Sequence, residues 1–574
     1  MKNIIKRTLS ILTGRERRSF FLLMAGNVLI SIADIAFLAM LIFLAGFYTR
    51  TAAVSRLPAY VPRSWMDPAS MYPALVFLLL FILKNTGAYI AGYAQYRFVY
   101  KVALRIAGSN LLCYLEGPYM EYAGTDSAEH IRKISQQPIE FCHYVLTGQL
   151  QILTELILIV LTIAAVMWYD AKLFLLLLLI LLPAVFALSY FGKKKLRSAR
   201  THIKTSGEKT LQHLREALSG YIESNIYDRK IFFHNRYIRY QRLLNKYLSD
   251  LRIIQGLPSR FIEIFAVAGF FVLVVIHHFS GNESTISLVT IGAFTVAVYK
   301  VIPGIAKILS TVGQIHAYEF SLHGLLGRRG SAEGNNPGAE QVAPIRSVAF
   351  HDVSFCYPQG QSRLRHFNLD VHRGDMTGIT GASGKGKTTI LHLLMGFLEP
   401  DEGAILINHE STDAAARQRY RKHIAYSRQQ SFLIHDSILK NITLSESPVQ
   451  EQELSAAIEA TGLQELLTRL PEGLHHRITE NGKNISGGQQ KRISIARALY
   501  KKADLIILDE PFNELDEASA RHILHHLQKL ALQGKMIILI THDKKNLSYC
   551  NKVISLDVPE TTYAGHSYTG VPGE

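Results

Sequence analysis

Gly381-Ala382-Ser383-Gly384-Lys385-Gly386-Lys387-Thr388 is the stretch that decides the fold. Ile485-Ser486-Gly487-Gly488-Gln489 and then Leu505-Ile506-Ile507-Leu508-Asp509-Glu510 follow it in order. The first stretch fits G-x-x-x-x-G-K-[ST], a loop whose glycines let backbone N–H groups turn inward onto phosphate oxygens. A helix starting there adds its positive N-terminal end. Lys387 is placed to reach the β- and γ-phosphates, and the Thr388 hydroxyl to hold Mg²⁺. The flanks agree: 375–380 is a short apolar segment leading into the glycines, and 389–395 has helical spacing. Leu505–Leu508 reads as a buried parallel strand with two acids at its end. Asp509 is expected to bind Mg²⁺ through water, and Glu510 to polarise the attacking water. Together these predict an α/β P-loop NTPase domain over 346–574.

With these motifs in place, residues 350–555 resemble the nucleotide-binding domain of an ABC transporter. Ile485–Gln489 is similar to the family signature LSGGQ, with Ile for Leu. In that family the signature loop binds the γ-phosphate of ATP held by the opposite subunit, which implies roles for Ser486, Gly487, Gly488 and Gln489. The resemblance implies a nucleotide cradle of Gly381, Ser383, Gly384, Gly386, Lys387, Thr388 and Thr389, with Tyr357 stacked on adenine. It makes Gln429 the residue that senses Mg²⁺ and contacts the membrane domain, alongside Thr388 and Asp509 as metal-binding residues. His542 becomes the switch histidine on the γ-phosphate, and Glu480 the acidic loop typical of exporters. The catalytic groups implied are Glu510, His542 and Lys387. The chain departs from the pattern at Pro511-Phe512, where exporters usually carry Ala-Thr. It departs again at Asn513-Glu514-Leu515-Asp516, which replaces SALD and puts an extra acid in the loop that crosses the dimer interface. No catalytic group is lost, so an active ATPase is expected.

The first 326 residues differ in kind. The chain is 48% hydrophobic and only 19% charged. Apolar stretches occur near 20–48, 72–96, 146–169, 171–192, 261–279 and 286–309. Each approaches the roughly 20 residues that cross a hydrocarbon core of about 30 Å. The Leu-rich run at 174–182 is apolar all round, which suits lipid better than one-sided burial. The expected architecture is an all-α six-helix transmembrane domain over 1–326, a Gly/Pro/Asn-rich linker over 327–345, and the ATPase. The first apolar run is too long for a cleavable signal peptide and lacks a small-residue cleavage site.

Charge orients the spans. Lys2, Lys6, Arg7, Arg15, Arg17 and Arg18 precede the first; Arg97, Lys101, Arg105, Arg132 and Lys133 follow the second. Lys193, Lys194, Lys195, Arg197 and Arg200 follow the fourth, whereas 277–285 has no Lys or Arg. The segment 49–70, with Arg50, Arg56 and Arg63, runs against the contrast. The positive-inside rule puts the N-terminus, the long loops and the ATPase in the cytoplasm of a cell with the chain in its inner membrane. The net charge of +16 is carried largely by these flanks, where anionic headgroups attract it, so no nucleic-acid partner is inferred. Cys113, Cys142, Cys356 and Cys550 match no metal spacing and read as unpaired cytoplasmic thiols.

Ionisable residues inside spans are costly and mark functional positions. Asp34, Lys84, Glu263 and Lys300 are the substrate-cavity candidates; Glu155 and Lys307 read as an internal pair or snorkelling residues. In exporters of this family, short cross-helices between the spans dock on the ATPase; by position they fall near Tyr119–Thr125 and Gly220–Asp228. Local matches around Asp34, Lys84-Asn85, Leu257–Glu263 and Tyr299–Pro303 are similar to bacterial lipid-linked oligosaccharide flippases. The expectation is an ATP-driven flippase moving a large amphipathic substrate outward, a lipid-linked glycan or lipid foremost. Peptide or secondary-metabolite export is the alternative, and a membrane-anchored regulatory ATPase a more distant one. Both half-sites are complete in a dimer of identical chains, so a homodimer is the simplest assembly.

Overall fold

The computed structural model describes residues 2–48, 70–169, 202–279, 288–319, 321, 342–357, 363–479 and 482–557. They fall into two units: Met1–Gly117 with Gly124–Asn335, and Pro118–Ala123 with Asn336–Glu574. The division after Asn335 lies within the expected linker 327–345, most of which is outside the described residues.

The first unit is helical. Its helices include α1 (Lys2–Ile11), α2 (Gly14–Tyr48), α3 (Tyr72–Leu115), α5 (Thr147–Tyr169), α6 (Tyr221–Ile226), α7 (Lys230–Phe279) and α8 (Leu288–Tyr318); α4 (Tyr119–Gly124), between α3 and α5 in the chain, falls almost wholly in the second unit. Among the described residues three helical stretches are long and apolar enough to cross a membrane: Gly14–Leu41, Tyr72–Leu115 and Ser127–Ala164. The apolar windows of the first two are 6% and 0% buried, so the side chains that make them apolar face outward, as a lipid solvent requires. Expected spans five and six lie on α7 and α8; span four, 171–192, lies outside the described residues. At 50 residues α7 is about 75 Å long. It therefore extends well beyond a bilayer core of about 30 Å.

Small residues set the contact of α5 with α8. A Cβ at Gly148 would sit 3.0 Å from Thr311, and one at Gly304 would sit 3.2 Å from Ile159. Helices in lipid approach closely where such residues meet. Lys307 Nζ lies 2.5 Å from Glu155 Oε1 across the same seam. Two π-helical stretches, Arg132–Gln136 and Phe141–Leu146, lead into α5.

The second unit holds two sheets. Strands β1 (Ser347–Cys356), β2 (Arg363–His372), β4 (Glu402–Ile407) and β5 (Glu410–Ser411) form an antiparallel sheet in the order β2-β1-β4-β5. Strands β3 (Met376–Thr380), β6 (Ile424–Ser427), β7 (Leu505–Asp509), β8 (Met536–Ile540) and β9 (Lys552–Ser555) form a parallel sheet in the order β6-β7-β8-β3-β9. Every residue of β7 and β8 is buried, as the unbroken apolar runs require of strands covered on both faces. Side chains alternate between two cores. Leu505, Ile507, Ile538 and Ile540 join the core shared with β1 and β2, while Ile506, Leu508, Ile537 and Leu539 pack against α11 (Glu517–Leu532). Helix α9 (Lys387–Leu394) follows β3, and α10 (Gly487–Tyr500) precedes β7.

Candidate functional site: a nucleotide cradle at the strand ends

Parallel strands deliver their following loops to one edge of the sheet, where open α/β folds bind ligands. The phosphate-binding loop leaves β3, Gln429 follows β6, Asp509-Glu510 closes β7, and His542 follows β8. Residues scattered over more than 160 positions of sequence thus meet because their strands are neighbours in the order β6-β7-β8-β3.

The phosphate loop has the conformation its glycines allow. Gly384 and Gly386 have φ of +82° and +95°, the left-handed region open to Gly, and Gly386 is the N-cap of α9. Ser383, Gly384 and Thr388 are exposed, whereas Gly381, Gly386 and Thr389 are buried. Lys387 Nζ donates to the carbonyl oxygen of Gly381, and at 3.3 Å to that of Ala382. The Ala382 N–H donates to both carboxylate oxygens of Asp557, at 2.9 and 3.1 Å, just beyond β9. This tether, distant in sequence, carries no motif that announces it.

Glu510 is the hub. Its Oε2 accepts from Gln429 Nε2 at 2.9 Å and from Asn513 Nδ2 at 2.8 Å, and its Oε1 lies 3.7 Å from His542 Nδ1. Its backbone has φ of +44°, unfavourable for a non-glycine residue. The N–H of Glu510 donates to Ile540 O at 2.9 Å, which holds this turn against the neighbouring strand. Asp509 is buried, and burial raises its carboxyl above the ordinary carboxylate range. The adjacent Glu510 charge adds to this, while the Tyr426 hydroxyl, 3.4 Å away, and Lys491 and Lys387 lower it. Two adjacent acids, one of them desolvated, at the same sheet edge as the loop that carries the exposed Thr388 suit a divalent cation with oxygen ligands, so the donor set fits Mg²⁺.

Ser486 caps α10. Its Oγ accepts from the Gln489 N–H at 3.3 Å, and Gln489 Oε1 accepts from the Ser486 N–H at 2.9 Å, a reciprocal capping box. The second signature glycine is needed locally, because its neighbour is backbone, whereas the first faces the end of a side chain. A Cβ at Gly487 would collide with the Glu514 carboxylate, and one at Gly488 would lie 2.7 Å from the Glu514 carbonyl oxygen. Ser486–Gln489 and Glu514 border one cavity of about 640 Å³.

Two links were not legible as motifs. Lys491, 2% exposed, donates to the carbonyl oxygens of Arg428 at 2.8 Å and Gln429 at 2.5 Å. Ser494, one turn later, meets Ser427 at 2.9 Å, Oγ to Oγ. Their signal is two polar residues three apart on a helix otherwise buried through Ile493, Ile495 and Ala496. Tyr357, just after β1, lies edge-on to Phe355, with ring centroids 5.0 Å apart and its ring against the core. Glu480 lies outside the described residues.

In the membrane unit two of the four cavity candidates meet each other. Asp34 and Lys84 form an ion pair between α2 and α3, with the ammonium 5.2 Å from the Phe81 ring centroid. They neutralise each other, so neither stands as a lone charge. Glu263 pairs with Arg260 at 3.3 Å on the surface of α7, and Lys300 falls on α8 with its side chain outside the described residues. Short helices stand at both positions expected for cross-helices, α4 and α6. Residues Pro118–Ala123 belong to the second unit, where the Tyr119 ring lies 4.6 Å from His392 and 5.4 Å from Phe397. None of the four cysteines forms a disulfide.

Comparison with known proteins gives concordant likenesses. The family described as ABC transporter matches residues 364–513. The ATP-dependent lipid A-core flippase of Desulfotalea psychrophila is 26% identical over 88% of this chain and 89% of its own length. The protein of that name from Ralstonia nicotianae is 26% identical over 83% and 82%. The uncharacterized ABC transporter ATP-binding protein YfiC of Bacillus subtilis is 26% identical over 85% and 81%. A solved bacterial Atm1-family ABC exporter with ATP bound has the same fold. Its TM-score is 0.77, covering 95% of this chain and 93% of that one, at 17% identity.

Proposed function

We propose that this chain, an exporter-type ABC half-transporter, uses ATP hydrolysis to move an amphipathic substrate outward across the inner membrane, with a lipid-linked glycan or lipid as substrate class. The observation that carries the ATPase is Glu510, held by Gln429 and Asn513 at the same sheet edge as the phosphate loop and His542. Relatives named as lipid A-core flippases, alike over most of both chains, support the substrate class.

The chemistry is positioning and charge stabilisation. Lys387 leaves the loop carbonyls for the β- and γ-phosphates, with backbone N–H groups around Gly384 and Gly386 beside it. Thr388, Asp509 and Gln429 would hold Mg²⁺, which would supply neutralising charge at the phosphate oxygens. Glu510 accepts a hydrogen bond from the attacking water, with Gln429 and Asn513 keeping its carboxylate aimed. His542, exposed and close to Glu510, is free to hold the γ-phosphate. The signature loop of a second identical chain covers each nucleotide, so the γ-phosphate favours the closed dimer because its contacts are complete only there. Closure turns the helices from inward- to outward-facing, and hydrolysis resets them. The ATPase unit is cytoplasmic in this scheme.

The test is ATP hydrolysis by the full chain in lipid nanodiscs across a panel of lipids, lipid-linked glycans and peptides, beside Glu510→Gln. Stimulation by lipids or lipid-linked glycans is expected. Loss of a general base lowers turnover by at least about 100-fold in the variant. Stimulation by peptides alone would replace the substrate class, and full turnover by Glu510→Gln would remove Glu510 from its role.

A further inference from the structure

Glu514 is the acid that the usual small residue of the SALD loop does not provide, and nothing in the hydrolysis scheme uses it. Its position is well determined by its neighbours. Phe512, 6% exposed, anchors the turn in the core. Asn513 is tied to Glu510, and Asp516 caps α11 while accepting from Arg492 of α10 at 3.2 Å. Between these fixed points Glu514 lies across the first two residues of α10. Its carboxylate packs on Gly487 and its carbonyl oxygen on Gly488. The same face, with Ser486 and Gln489, lines the open cavity.

We infer that Glu514 is a specificity-determining residue of the shared nucleotide site: its carboxylate, packed on Gly487, stands over the anion seat of the signature loop until a γ-phosphate displaces it. The inference rests on the ATPase reading above. The N-terminus of α10 favours one anion, and two cannot share it without repulsion. A nucleotide that ends at the β-phosphate has nothing to place on the partner's glycines and leaves Glu514 seated. A nucleoside triphosphate reaches the seat and competes for it. The acid therefore raises the ATP concentration needed for closure while opposing closure on the diphosphate, the repulsive element that discrimination between close ligands requires. Nucleotide binding to the phosphate loop of an open protomer does not involve Glu514.

The experiment compares wild type, Glu514→Gln and Glu514→Ala as full chains in nanodiscs. ATP dependence of hydrolysis is read with and without added ADP, and binding of a fluorescent ATP analogue is measured in parallel. Removing a like charge from a partly exposed site lowers half-saturating ATP by about fivefold in both variants. Analogue binding to the open protomer stays at the wild-type value, and ADP inhibits both variants more strongly. Unchanged half-saturation in both variants would overturn the inference. So would a shift in Glu514→Ala alone, since the isosteric amide separates charge from bulk. Lost turnover at unchanged half-saturation would make Glu514 a structural residue instead. If the wild type hydrolyses no ATP under any condition, the ATPase reading itself is what fails.

Discussion

Glu510 shows what a single residue tolerates for the sake of a site. Its positive φ is disfavoured by a Cβ, yet it is bonded to Ile540 on one side while Gln429 and Asn513 hold its carboxylate. A second residue, His392 on α9, makes a prediction. Burial pushes its imidazole down to about 4, with the Arg428 charge adding to the effect. The Tyr119 and Phe397 rings sit against it, and Nδ1 has no hydrogen-bond partner. The folded protein keeps His392 neutral where the unfolded chain, with an ordinary value near 6.5, takes a proton. The contribution is therefore intact above pH 6.5 and is lost as pH falls toward 4. The melting temperature of the ATPase unit is expected to drop over that window, and to drop less in His392→Phe. Parallel curves for the two proteins would show that His392 does not drive the change.

At the scale of elements, α10 does more than present the signature loop. Lys491 bonds the main chain at Arg428 and Gln429, and so fixes the loop after β6 that aims Gln429 at Glu510. Burial lowers the pKa of this ammonium, and the charges of Glu514, Asp509 and Glu510 offset that in part. Lys491→Met is expected to lower turnover by about tenfold, because small displacements of positioned groups are costly. ATP binding to the phosphate loop should change little, and Lys491→Arg should restore part of the rate. Equal losses of binding and turnover, with a lower melting temperature and no rescue, would mark Lys491 as only a packing residue.

For the whole molecule, the two units answer to different solvents. The ATPase unit hides its apolar strands; the membrane unit exposes residues such as Leu22, Leu29, Leu79 and Leu83 on α2 and α3. In such a setting the Asp34–Lys84 pair is a contact whose two halves depend on each other. Removing one partner of a low-dielectric pair costs about 3–5 kcal/mol, whereas removing both is often close to neutral. Asp34→Asn and Lys84→Met are each expected to lower the thermal stability of the detergent-solubilised protein, and the double variant to regain most of it. Additive losses would argue that each charge has a separate role, as a substrate contact would require.

The sequence alone determined that a P-loop ATPase follows a membrane domain, because glycines at fixed spacing and apolar runs of span length are local signals that physics reads without a partner. It also named Lys387, Asp509, Glu510, Gln429, His542 and Ser486, since each stands in a motif. Only the tertiary structure decided what these residues touch. Strand order brings Gln429 to Glu510, and the turn after β7 lays Glu514 on Gly487. The end of β9 sets Asp557 on the phosphate loop, and helix packing joins Asp34 to Lys84. Such contacts depend on which elements become neighbours, and that is settled by burial of whole faces rather than by the spacing of residues along the chain.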